Sequence, residues 1–250
     1  MSAADGRGEG GASGDDSGAR TVVHGLVAIA LTVLAVVASV FGSVPGVLLG
    51  QNTAAGFAVA LLGSELGFAV AGIGFLLVTG RGLGYLDLDG PAGVAGWGLV
   101  AVFTVGAFVA RSGILLATLR LGVEPAPSSI AEVDLPLRVL VAVLLPAMLL
   151  VVGPAEELLF RGVVQKFLRE EASPRAAILG AGLLFGAVHV FSLVQSSGLG
   201  TLVSLVIITL VGFGLGWLYE RTRSLPAAMV AHGGYNALIV GSAYALELVG

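Results

Sequence analysis

Two adjacent carboxylates, Glu156 and Glu157, stand with Arg161 in GPAEELLFRG (153–162), directly after the uncharged run VLVAVLLPAMLLVV. A carboxylate beside hydrocarbon costs about 2.5–3.5 kcal/mol on insertion scales, so its presence marks function by default. Neighbouring residues point about 100° apart on a helix, so the two acids cannot do the same work. Arg161 follows Glu157 by four residues, the spacing at which the two meet on one helix face. That leaves Glu156 turned toward something else. Two imidazoles are available, His189 in LLFGAVHVFSLV and His232 in PAAMVAHGGYNALIV, and Asn236 shares a helix face with His232. One polar cluster built from all of them would offset the desolvation that each costs alone. A carboxylate base, a second imidazole and an amide donor are the parts of a site that turns water on a carbonyl. Glu156 would take the proton from water and His189 would hold that water. His232 and Asn236 would donate to the oxyanion, a contribution of about 3–4 kcal/mol per donor in well-studied cases. Glu156, His189 and His232 could equally bind zinc, since two His, one Glu and a water make a catalytic shell. No H-E-x-x-H is present, so a zinc site confined to one helix is excluded.

The elements that must position these groups are membrane helices. The 250 residues are 56% hydrophobic and 11% charged, against roughly a quarter charged in soluble domains. Apolar runs of about 20 residues then read as spans, near 22–42, 54–79, 92–119, 136–160, 176–194, 199–219 and 226–247. The expected fold is an all-α, polytopic bundle of about seven transmembrane helices. An eighth is open if one of these spans splits. The boundary after 42 is the least secure, with SVPGVLLG (43–50) read alternatively as a short re-entrant turn. Ahead of the membrane domain, 22–250, residues 1–21 are polar, acidic and Gly-rich and are expected to be disordered. They do not read as a secretory signal. Pro154 removes an N–H, frees the carbonyl of Leu150 and is expected to kink the fourth span just before the acids.

With seven spans and the N-terminus inside, the cytoplasmic side receives Arg7, Arg20, Arg81, Arg161, Lys166, Arg169, Arg175, Arg221 and Arg223. That excess predicts a cytoplasmic N-terminus and places the acids at the cytoplasmic end of the fourth span. A single lysine and no basic stripe argue against a nucleic-acid partner, and without cysteine there is no thiol chemistry. GAGLLFG (180–186) and GFGLG (212–216) put small residues where helices can approach closely. His24, Trp217 and Tyr219 read as interfacial. The remaining intramembrane charges, Glu65 and Arg111, are expected to satisfy one another as an interhelical ion pair.

Three short motifs carry a family resemblance. EELLFR (156–161) matches E-E-x-x-x-R, FGAVH (185–189) matches F-x-x-x-H, and HGGYN (232–236) matches a His with Asn four residues on. Together, in this order, they resemble the CPBP family of intramembrane proteases, relatives of the CAAX-processing endopeptidase of prenylated proteins and of the bacterial Abi proteins. The likeness covers about 137–240 and leaves the first three spans unmatched. It implies peptide-bond hydrolysis within an integral membrane protein of the cell membrane, with Glu156 and His189 activating water. It also implies that His232 and Asn236 stabilise the oxyanion and that Glu157 and Arg161 form a structural pair. Proteins of this kind are called metalloproteases, although the CAAX enzyme is thought to work without a bound metal. A metal-free, glutamate-dependent route is therefore expected slightly ahead of a zinc-dependent one, in which Glu65 is a further candidate ligand. The implied partners are membrane lipids and a peptide or protein substrate, a lipidated one included. Two readings stand against the protease, a non-catalytic immunity or scaffold protein and a transporter with a polar relay. The absence of an internal repeat speaks against the transporter.

Overall fold

The computed structural model describes residues 12–128, 130, 133–193 and 198–249, with side chains from Ser17 to Leu248. Seven long helices account for most of them. These are α1 (Ala12–Leu48), α2 (Ala54–Val78), α3 (Gly93–Arg120), α4 (Leu137–Leu168), α5 (Pro174–Leu193), α6 (Leu199–Thr222) and α7 (Leu225–Val249). The chain is an all-α membrane bundle: six of the helices, α1 to α6, are long and apolar enough to cross a bilayer. The middle of α7 holds His232, Gly233, Gly234 and Asn236, which makes it more polar, but its 25 residues suffice for about 37 Å.

Four expectations need correction. Residues 1–11 of the expected disordered tail lie outside the described residues, but α1 already begins at Ala12, well before Thr21. Its first turns are tied down where Arg20 approaches Glu171 at 3.5 Å and the Thr21 hydroxyl donates to the Glu171 carbonyl. The stretch 43–50 is no re-entrant turn, because α1 continues through Pro45 to Leu48. Gly42 there lies so close to Gly63 of α2 that a side chain at either would strike the other's backbone. Tyr219 does not belong to an interfacial belt. It is buried, and its hydroxyl donates to Asp87, whereas Trp217, two residues back and so about 200° around the helix, faces outward beside Arg221. Finally, Glu65 and Arg111 form no ion pair. Helix α3 packs on α6 and α7, where Arg111 lines an apolar groove with Phe103 and Leu210, while α2 packs on α1 and α4.

One end of the bundle gathers the charges. Arg81 makes two hydrogen bonds to Glu170, and Lys166 meets Asp87 at 2.7 Å. Glu220 receives Arg169 and Arg223. The loop between α2 and α3 is fastened to the start of α7 by the Leu225 N–H on the Asp87 carbonyl and the Ser224 hydroxyl on that of Asp89. Partial burial pushes the Asp87 carboxyl up, but the bonds from Lys166 and Tyr219 outweigh it and hold the group below its ordinary range. His24 belongs to this end, stacked on Phe167 at 4.2 Å.

Candidate active site

The local sequence of α4 decides where its acids point. Pro146 and Pro154 both lie inside the helix, and each leaves a carbonyl one turn back without its usual N–H. The chain answers with two stretches of wide π turns, Met148–Val152 and Leu158–Gln165, on either side of the α-helical Gly153–Glu157. π turns are uncommon and recur at functional sites. The helix also does not stop near residue 160 as the span reading expected. Val163, Val164 and Phe167 continue the apolar face to Leu168 and are buried. The acids therefore sit within the helix, about 16–18 Å before its end at about 1.5 Å per residue, and not at its tip.

Helix α7 reaches them because glycine faces glycine. A Cβ on Gly233 would lie 2.7 Å from the Met148 carbonyl oxygen, and one on Gly153 would lie 2.9 Å from the Gly233 nitrogen. The two backbones touch, which places His232 directly against the acid pair. Gly233→Ala is accordingly expected to destabilise the protein by about 1–3 kcal/mol, the usual cost of overpacking. Cleavage activity should fall as well, because the added methyl moves the His232 ring off Glu157. Thermal unfolding in detergent, read alongside activity, checks both parts.

The core of the site is Glu157. Its side chain is fully buried, and its Oε1 accepts from Arg161 Nη1 at 2.9 Å and from His232 Nδ1 at 2.8 Å. Arg161 is equally buried and sends Nη2 to the Gly212 carbonyl of α6 at 2.7 Å, while its guanidinium lies over the Phe185 ring of α5. One ion pair thus ties together α4, α5, α6 and α7. The second contact of Glu157, with His232, was missed from sequence, because spacing along one helix says nothing about a ring arriving from another.

With a carboxylate as its partner, His232 Nδ1 carries a proton, and Nε2 faces the opposite way. There it meets Glu156, whose Oε2 lies 3.8 Å off, too far for a direct hydrogen bond. Glu156 is buried too, and no described protein group donates to its Oε2. The two acids have therefore parted, one locked to Arg161 and one turned to the far ring nitrogen.

His189 stands at the end of the α-helical part of α5, where its Nδ1 bonds the Phe185 carbonyl at 2.8 Å. It does not contact the acids. Both imidazoles touch the Phe185 ring, at 4.7 Å from His189 and 5.6 Å from His232, so that residue forms the wall between them. Asn236 lies one turn beyond His232 on α7 and makes no hydrogen bond to a described residue. Glu156 and His232 are thus brought together, His189 is set beside them across a phenyl ring, and Asn236 flanks them.

The donor set suggested for zinc does not fit here. Among the described residues no three His, Asp or Glu side chains group so as to hold a metal ion. Both imidazoles leave Nε2 free, but their rings meet the Phe185 ring and not each other, and His189 does not reach the acids.

Residues 138–238 match a family model described as Type II CAAX prenyl endopeptidase Rce1-like. No curated protein and no solved structure matches the chain.

Proposed function

We propose that this multi-pass membrane chain, which its match over residues 138–238 supports as a CPBP/CAAX-type protease, cuts a peptide bond of a membrane-associated, lipidated substrate with Glu156 as general base. The observation that carries the reading is the division of labour between the acids. Arg161 and His232 both bond one oxygen of Glu157 and leave its Oε2 without a donor, while Glu156 accepts no hydrogen bond from a described residue at all and lies beside the other nitrogen of the same ring. A carboxylate so placed takes a proton from water as the water oxygen bonds to the scissile carbonyl carbon. When the C–N bond breaks, the same proton passes to the leaving nitrogen. His189, across Phe185, holds the approaching water.

Asn236 and His232 serve the oxyanion. The His232 donor must be Nε2–H, because Nδ1–H is already given to Glu157, so this role needs the ring with both protons. Substrate enters from the side where Arg81, Lys166, Arg169 and Arg223 gather, which the basic-residue asymmetry assigns to the cytoplasm, together with the N-terminus.

The test is cleavage of a quenched fluorescent peptide, carried with and without a C-terminal farnesyl group, by purified protein in proteoliposomes. The farnesylated peptide is expected to be cut, with chelator leaving the rate unchanged, and His232→Ala should lower kcat about 100-fold or more. If the wild-type protein cuts neither peptide, or His232→Ala cuts as fast as wild type, the proposal falls.

A further inference from the structure

Glu65 has no role in the reaction as described above, and its surroundings demand one. It sits midway along α2, is 8% exposed, and its Oε2 finds no hydrogen-bond donor among the described residues. The ion pair with Arg111 that would have explained it is not formed. A polar group left without a protein partner in a buried site is destabilising, so a Leu would serve the bundle better at this position. Helix α2 packs against the Gly153–Glu157 turn of α4, and the Glu65 and Glu156 carboxyl groups feel each other's charge. Three buried carboxyl oxygens on these two packed elements lack a protein donor, Oε2 of Glu65, of Glu156 and of Glu157, and His232 Nε2 lies 3.8 Å from that of Glu156. That gap is too long for a direct hydrogen bond and too short for a water in line, and it suits one water lying beside the pair and bonded to both. Buried waters typically make about three hydrogen bonds, and three groups are offered.

We infer that Glu65 is a third water-holding catalytic residue, which together with Glu156 and His232 clasps the water that attacks the scissile carbonyl. The inference deepens the proteolytic reading and rests on it. A water has two protons to give and two lone pairs to fill. Glu65 and Glu156 accept its two protons and His232 Nε2–H fills one lone pair, so the other lone pair points out of the clasp toward substrate. As the C–O bond forms, Glu156 takes its proton and Nε2–H turns to the oxyanion. The residue thereby supplies orientation, an effect that lies in the transition state and not in substrate binding.

The experiment compares wild type, Glu65→Leu and Glu65→Gln in the same cleavage assay, with thermal unfolding in detergent measured on each. Glu65→Leu is expected to lower kcat about 100-fold, with KM within about twofold. Its melting temperature should stay equal or rise, because a buried carboxyl has been removed and no bond to another protein group has been lost. Glu65→Gln offers an N–H and a carbonyl oxygen to the same water and should keep kcat within about tenfold of wild type. A Leu variant with wild-type kcat overturns the inference. So does a Leu variant that loses activity and melting temperature together, with Gln no better, since that is the signature of a merely structural residue.

A reading independent of activity separates this from the proteolytic proposal. Difference infrared spectra should show that Glu156→Gln shifts the carboxyl band that Glu65→Leu abolishes. If the bands are independent the clasp does not exist, whether or not the protein cleaves. If they are coupled but wild type cuts no peptide, the proteolytic reading fails while the clasp stands.

Discussion

Glu156→Gln is expected to lower kcat about 10²–10⁴-fold, the range that a positioned general base contributes, and to leave the fold as stable as before. The combination follows from the geometry. The amide is nearly isosteric with the carboxylate, and Glu156 Oε2 accepts no hydrogen bond from a described protein group, so the exchange breaks no such bond there. The exchange loses only the longer-range attraction to the His232 ring 3.8 Å away and relieves a buried charge, so stability should change little. KM should change little, because the general base acts in the transition state and not in binding. Peptide cleavage in proteoliposomes and thermal unfolding in detergent read the two halves. A Glu156→Gln protein that retains more than about a tenth of wild-type kcat removes Glu156 from its role as base. Loss of activity together with a collapse in melting temperature would show Glu156 to be structural instead.

Much of the site is legible in the residues themselves, because helices impose a fixed angle per residue. Arg161 four after Glu157 reads as a pair from spacing alone, and the two meet at 2.9 Å. Asn236 falls on the face of His232 by the same rule. Small residues at Gly182 and Gly212 read as close packing, and these two do approach, at the α5–α6 contact. What a one-dimensional pattern cannot carry is which helix stands beside which. Glu65 and Arg111 look like a natural pair only while α2 and α3 are taken as neighbours in the way needed. Once α3 leans on α6 and α7, the pair separates and Glu65 becomes the most interesting unexplained group in the bundle. The second partner of Glu157 is hidden for the same reason. The length of α4 escapes the pattern differently. Lys166 and Arg169 lower the apparent hydropathy past residue 160, although Val163, Val164 and Phe167 keep one face buried to the end.

Arg161→Met should be among the most destabilising single substitutions in the chain, by about 3–5 kcal/mol, because it strands Glu157 as a buried charge without its cation. The loss is spread over four helices, since the guanidinium also holds the Gly212 carbonyl and covers the Phe185 ring. Glu157→Leu should cost a similar amount for the converse reason, leaving Arg161 stranded. The double variant, Glu157→Leu with Arg161→Met, is expected to recover most of that stability, as replaced buried ion pairs generally do, within about 1–2 kcal/mol of wild type. Catalysis should not recover with it. His232 Nδ1 would face a leucine and lose the acceptor that fixes both its proton and its ring plane, so Nε2 would no longer be held toward Glu156. Unfolding measurements on the two single variants and the double give the coupling energy, and the cleavage assay on the double gives the other half. Additive stability losses would mean that the pair is not the keystone its burial suggests. A double variant that cuts peptide at the wild-type rate would mean that Glu157 holds the helices together but does nothing for the imidazole.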